Sequence, residues 1–135
     1  RDYCRRTSQP VPESIGAIVR CIDESLAMRY HQAAMELERC LDRTYSCLHM
    51  IGGGIQSRLL CQMTADACGK KILAGPVEAT VLGNIALQLL SAGDIRNLRD
   101  ARRIIRDSES IQTYQPKESE RWQEEYQRWE AVTSC

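Results

Sequence analysis

The sequence carries no net charge, since eighteen basic residues stand against eighteen acidic ones. Proteins that bind nucleic acid or an anionic membrane surface normally show a basic excess, so neither partner is expected. Nowhere does an apolar run approach the roughly 20 residues that would cross a bilayer. The opening Arg1-Asp2-Tyr3-Cys4-Arg5-Arg6 is not followed by the apolar segment of a secretory signal, so no signal peptide is expected. Histidine is scarce, with His31 and His49 alone, and neither has a nucleophile or a ligand set beside it in sequence. A Cys-x-x-Cys pair is also missing, although cysteines stand at 4, 21, 40, 47, 61, 68 and 135. An odd count without close pairs is a poor disulfide framework, and steps of seven residues (Cys40 to Cys47, Cys61 to Cys68) are not zinc spacings. Several of these cysteines fall within helical patterns, where the thiol behaves as a small apolar group. Reduced thiols and a cytoplasmic location are therefore expected. Cys4 and Cys21, which flank a proline-containing lead-in, would meet if that segment folded back on the helix that follows.

A hydrophobic fraction of 43% with 27% charge lies within the globular range, so a folded chain is expected rather than a disordered one. Pro10 and Pro12 make residues 1–13 read as extended. Ser14 is a candidate N-cap, and Ile15, Ile18, Val19, Ile22, Leu26, Tyr30, Ala33, Leu37 and Leu41 follow in steps of three and four. That period predicts one long amphipathic helix over about 14–42, with Arg20, Asp23, Glu24, Arg29, Glu36 and Arg39 on a solvated face. Cys47-Leu48-His49-Met50-Ile51 is too short for a helix and fits a buried strand. Leu59, Leu60, Met63 and Ala67 then predict a helix that stops at Gly69. Lys71-Ile72-Leu73-Ala74 reads as a second strand, closed by Gly75-Pro76. A helix follows from about 78 to 92 with Gly93 as its stop, and its internal Gly83 suggests close approach of another backbone. Asn97 and Asp100 resemble a capping arrangement for the next helix. A loop is expected at 107–116, and Trp122, Tyr126 and Trp129 mark an aromatic stripe on a last helix.

This order, helix, strand, glycine turn, helix, strand, helices, predicts an α/β fold with parallel strands. Two short strands cannot make a sheet with covered edges. Either the rest of the sheet lies in another part of a longer chain, or the edges support self-association.

The strongest chemical feature is Ile51-Gly52-Gly53-Gly54-Ile55-Gln56-Ser57. Three glycines between a strand and a helix permit a tight turn and close approach of a ligand to the backbone, next to a helix N-terminus that favours phosphate. A tight turn that binds nothing has the same pattern. The dinucleotide fingerprint fails, because Ile55–Leu59 lacks its third glycine and Lys71–Ala74 lacks the acidic residue. The Gly-x4-Gly-Lys-Ser/Thr phosphate loop is absent too. Glu78 reads as a helix-start charge, the arginines at 99, 102, 103 and 106 as a helix face, and the aromatic stripe as packing.

Residues 51–69, from Ile51-Gly52-Gly53-Gly54 to Cys68-Gly69, together with Ala74-Gly75-Pro76-Val77-Glu78-Ala79-Thr80 and its continuation to Ile85, resemble the C-terminal domain of the FGGY carbohydrate kinases. Gln9-Pro10-Val11-Pro12-Glu13 and Tyr114-Gln115-Pro116 extend the likeness over nearly the whole chain. The resemblance implies part of an actin-like ATPase (ribonuclease-H-like) domain, with residues 1–135 forming the C-terminal portion of its nucleotide-binding domain. It implies ATP as phosphoryl donor, a divalent cation (usually Mg2+) and a sugar acceptor. Gly52, Gly53 and Gly54 would line the ATP site near the adenosine and α-phosphate, and Ser57 stands where the family often has an asparagine that faces the adenine end. The family's catalytic aspartate, sugar-binding residues and first phosphate loop match nothing here, so no catalytic residue is assigned and this chain alone is expected to be inactive. A non-catalytic actin-like nucleotide-binding or oligomerisation module is the alternative.

Overall fold

The computed structural model describes residues 1–133. A short helix α1 (Asp2–Arg6) precedes α2 (Ile15–Leu41), and strand β1 (Cys47–Met50) leads through a 3-10 turn (Gly53–Gln56) into α3 (Arg58–Cys68). There follow β2 (Lys71–Ala74), α4 (Ala79–Ala92), α5 (Leu98–Ser108), β3 (Gln112–Tyr114) and α6 (Ser119–Thr133). Among the described residues the strands form one sheet in the order β1-β2-β3. β2 pairs parallel to β1 (Leu48 opposite Ile72) and antiparallel to β3 (Ile72 opposite Tyr114).

The expected caps hold. The Ser14 side chain accepts from the N–H of Ala17, and Asn97 accepts from Arg99 and Asp100. Gly69 and Gly93 end their helices in the left-handed region that glycine adopts without steric cost.

Helix α3 is the centre of the molecule. One side, through Cys61 and Ala65, packs on Ile72 and Ala74 of the sheet, with Leu48, Met50, Ile55 and Tyr114 around them. Its other side, through Met63 and Ala67, meets Ala27 of α2 and Trp122 of α6. The sheet therefore forms one layer, α3 the next, and α2 with α6 the third, while α4 and α5 pack on each other.

Several expectations are corrected. Residues 2–6 are helical rather than extended, and α1 is tied to the far end of the chain by a hydrogen bond from the Tyr3 hydroxyl to the Val132 carbonyl. The expected loop at 107–116 contains β3; three residues are too few to show a period, and only pairing with β2 makes them a strand. The Cβ of a residue at Gly83 would meet nothing within 4 Å; the close approach is at Gly75, where a Cβ would come within 3.3 Å of Ile111 Cα and the Ser110 carbonyl. The long helix packs through a different face from the one its apolar stripe predicts. Ile15 is 83% exposed and Ile22 52%, whereas Asp23, Ala27 and Met28 are buried, with His31, Ala34 and Glu38 half-buried. That face lies about a quarter turn away around the helix. His31 is half-buried and meets the Tyr126 ring edge-on at 4.7 Å.

Candidate functional site

The strands β1 and β2 end side by side, and the two glycine-containing segments follow them. The N–H of Gly75 donates to the Met50 carbonyl at 2.9 Å, and the N–H of Gly52 donates to the Pro76 carbonyl at 3.2 Å. Two motifs more than twenty residues apart thus become neighbours at the carboxyl ends of parallel strands, the edge where open α/β sheets hold ligands.

Within the loop the three glycines differ. Gly52 has φ 83° and ψ −174°, a conformation essentially confined to glycine. Gly53 and Gly54 lie in the 3-10 turn, and neither has a positive φ. Of the three, Gly52 alone takes a positive φ. A Cβ at any of the three would project into open space. The turn is closed by the Ile55 N–H to the Gly52 carbonyl and the Ser57 N–H to the Gly54 carbonyl, each at 3.2 Å. The Cys61 thiol lies 3.6 Å from the Ile55 carbonyl.

Ser57 joins this loop to α3. Its hydroxyl accepts the Leu60 N–H at 3.2 Å and donates to Asp23 Oδ2 of α2, also at 3.2 Å. Asp23 is not on a solvated face as its charge suggests; it is 9% exposed. The recurrence of short or covered residues at 23, 27, 31 and 34, in helical steps beside the apolar stripe, is the sequence signal that marks this second face. A carboxylate and a capping hydroxyl thus already occupy the start of α3, where the sequence alone points to phosphate. What remains open at the loop is the space beside the backbone of Gly52, Gly53 and Gly54.

Glu78 is exposed at the start of α4 and makes no capping bond. The arginines at 99, 102, 103 and 106 are exposed; Arg103 pairs with Asp100 and Arg106 lies 3.5 Å from Asp107. Trp129 stacks on Tyr126 at 5.6 Å. Among the described residues, no three His, Cys, Asp or Glu gather so as to hold a metal ion. No described helix is long and apolar enough to cross a membrane. The six described cysteines are free thiols, and burial pushes the Cys68 thiol up to about 11. Cys135 lies outside the described residues.

Comparison with known proteins bears on the same segments. Residues 4–92 match the C-terminal domain of the FGGY family of carbohydrate kinases. The chain is 44% identical over 126 residues to a rhamnulokinase of Bacteroides thetaiotaomicron, which covers 93% of this chain and 26% of that one. It also superposes on the crystal structure of xylulose kinase from Rhodospirillum rubrum with a TM-score of 0.67 and 16% identity, over 93% of this chain and 25% of the other. At that identity the likeness speaks for the fold, part of an actin-like ATPase. The chain spans about a quarter of the length of each of these relatives.

Proposed function

Because the chain belongs to the FGGY family of carbohydrate kinases, we propose that residues 1–135 are the C-terminal portion of the nucleotide-binding domain of a longer, cytoplasmic kinase. That kinase transfers the γ-phosphate of ATP to L-rhamnulose. The observation that carries this reading is the juxtaposition of the glycine turn with Gly75-Pro76 at the ends of two parallel strands, inside a stretch 44% identical to a rhamnulokinase. The apolar stripe of α2, left exposed by this chain's own packing, agrees with a partner surface supplied by the remainder of a longer protein.

Gly52, Gly53 and Gly54 bring backbone against the nucleotide without side chains in the way, and Ser57 fixes where that turn joins α3. Catalysis of phosphoryl transfer is largely positioning and charge stabilisation, and this chain contributes the positioning of the nucleoside end. Mg2+ would accompany the ATP phosphates; among the described residues no three His, Cys, Asp or Glu gather to hold it, and the catalytic base is assigned by the family resemblance to segments outside this chain.

The test is steady-state kinetics of the full-length enzyme with ATP and a panel of ketoses. L-rhamnulose is expected to exceed D-xylulose in kcat/KM by at least about tenfold. A preference for D-xylulose would reject the sugar assignment, and no phosphorylation of any sugar would reject the kinase itself. Calorimetry on residues 1–135 alone is expected to give ATP affinity at least about tenfold weaker than the full enzyme. Submicromolar binding by this piece would show that its site needs no second wall.

A further inference from the structure

Asp23 is a charged side chain of α2 taken almost wholly out of water, 9% exposed. Its partner is the hydroxyl of Ser57, 34 residues away. A serine hydroxyl has one hydrogen. With that hydrogen committed to Asp23 Oδ2, the oxygen lone pairs are left for the Leu60 N–H, and Leu60 is where they are used. The carboxylate thus selects the rotamer in which Ser57 caps α3, and the backbone N–H of that same serine closes the turn on the Gly54 carbonyl.

We infer that Asp23 is a positioning residue for the nucleotide turn: through Ser57 it fixes the angle at which the Gly52–Gly54 backbone meets ATP. This rests on the reading of that turn as an ATP contact. Removing the carboxylate frees the hydroxyl to rotate, loosens the cap, and lets the turn sample orientations that meet the nucleotide poorly. The negative charge also sits beside the N-terminal end of α3, where the helix dipole favours it, so the pair is held without a cation. The acceptor sugar, bound elsewhere, is not affected.

The experiment compares Asp23→Leu, Asp23→Asn, Ser57→Ala, the Asp23→Leu/Ser57→Ala double variant and Gly52→Ala in the full-length kinase, measuring the KM for ATP and for the sugar separately. Asp23→Leu is expected to raise the ATP KM about fivefold, the net scale of one ordinary hydrogen bond, with the sugar KM unchanged. Asp23→Asn, which keeps an acceptor oxygen, is expected to restore most of that loss. Ser57→Ala should match Asp23→Leu, and the double variant should be no worse than either, because both break one link. If Asp23→Leu does not fold, Ser57→Ala and Asp23→Asn carry the same comparison. An unchanged ATP KM in the Asp23 and Ser57 variants, with Gly52→Ala still raising it, overturns the role of Asp23 and leaves the ATP site standing. Equal rises in both KM values overturn it too, since they report general damage. If Gly52→Ala also leaves the ATP KM unchanged, the nucleotide reading itself falls.

Discussion

The ammonium of Lys70 lies 3.0 Å from Oε1 of Glu38, and the same oxygen accepts the backbone N–H of Tyr45 at 2.6 Å. Lys70 also donates to the Tyr45 carbonyl at 3.0 Å. Three segments meet here: the last turns of α2, the entry to β1 and the residue before β2. Because β1 and β2 carry the two glycine segments at their far ends, this half-buried pair helps set where the candidate site lies.

The Tyr45 N–H first, and Lys70 after it, hold the Glu38 carboxyl below its ordinary value of 4.5. A depressed carboxylate contributes stability above that ordinary value and loses it as pH falls through the lower, folded value. Glu38→Gln is therefore expected to lower the urea midpoint at about pH 7, with the difference from wild type shrinking toward about pH 3. Urea titrations at the two pH values check this. A difference that stays constant would mean the charge of Glu38 adds nothing.

Gly52 and Gly53 are expected to fail in different ways. Gly52→Ala forces a side chain into a backbone conformation that only glycine holds readily, and should cost about 1–3 kcal/mol of stability and raise the ATP KM by shifting the turn itself. A Cβ at Gly53 meets no protein atom within 4 Å, so Gly53→Val is expected to fold, but its side chain projects where nucleotide is proposed to lie. In the full-length kinase it should raise the ATP KM by at least about tenfold, or about 1.4 kcal/mol, with the sugar KM unmoved. Denaturation midpoints and the two KM values separate these effects. A well-folded Gly53→Val enzyme with normal ATP kinetics would reduce the loop to a turn.

Asp66 of α3 is 7% exposed, and its Oδ1 accepts from the Lys117 N–H at 2.6 Å, the Glu118 N–H at 3.4 Å and Gln62 Nε2 at 3.0 Å. It anchors the segment that enters α6. Asp66→Ala is expected to cost about 1–3 kcal/mol, because it removes the carboxylate that three donors share. Hydrogen exchange should show α6 protection falling before that of β2. Equal loss across the molecule would mean α6 is not separately anchored.

Cys4 and Cys21 are both half-buried thiols, and burial first, with the neighbouring Cys4 next, raises the pKa of Cys21. Both are free thiols. Reduced protein is expected to yield seven thiols when denatured without reductant. Under a mild thiol oxidant, Cys4–Cys21 should be the first cross-link found by peptide mapping. Appearance of any other pair first would show that the two sulfurs do not meet.

Most of the elements are determined by chemistry local to each segment. Ser14 and Asn97 are caps because a short oxygen-bearing side chain reaches the first N–H groups of its own helix, and Gly69 and Gly93 end helices because glycine alone turns left without cost. The short run at 47–50 between polar residues and three glycines could only be a strand, and the glycine turn after it was legible for the same reason. None of these depends on what lies across the molecule. Tertiary structure decided the rest. Gln112–Tyr114 is a strand only because β2 is there to pair with it. The face of α2 that packs is chosen by how closely Ala27 lets α3 approach, not by which side carries more hydrocarbon. Asp23 looks like any solvated charge along the chain, and becomes a buried partner of Ser57 only when α2 and α3 meet. Periodicity reports what one segment offers; pairing and burial depend on segments distant in sequence, and that information exists only in the fold.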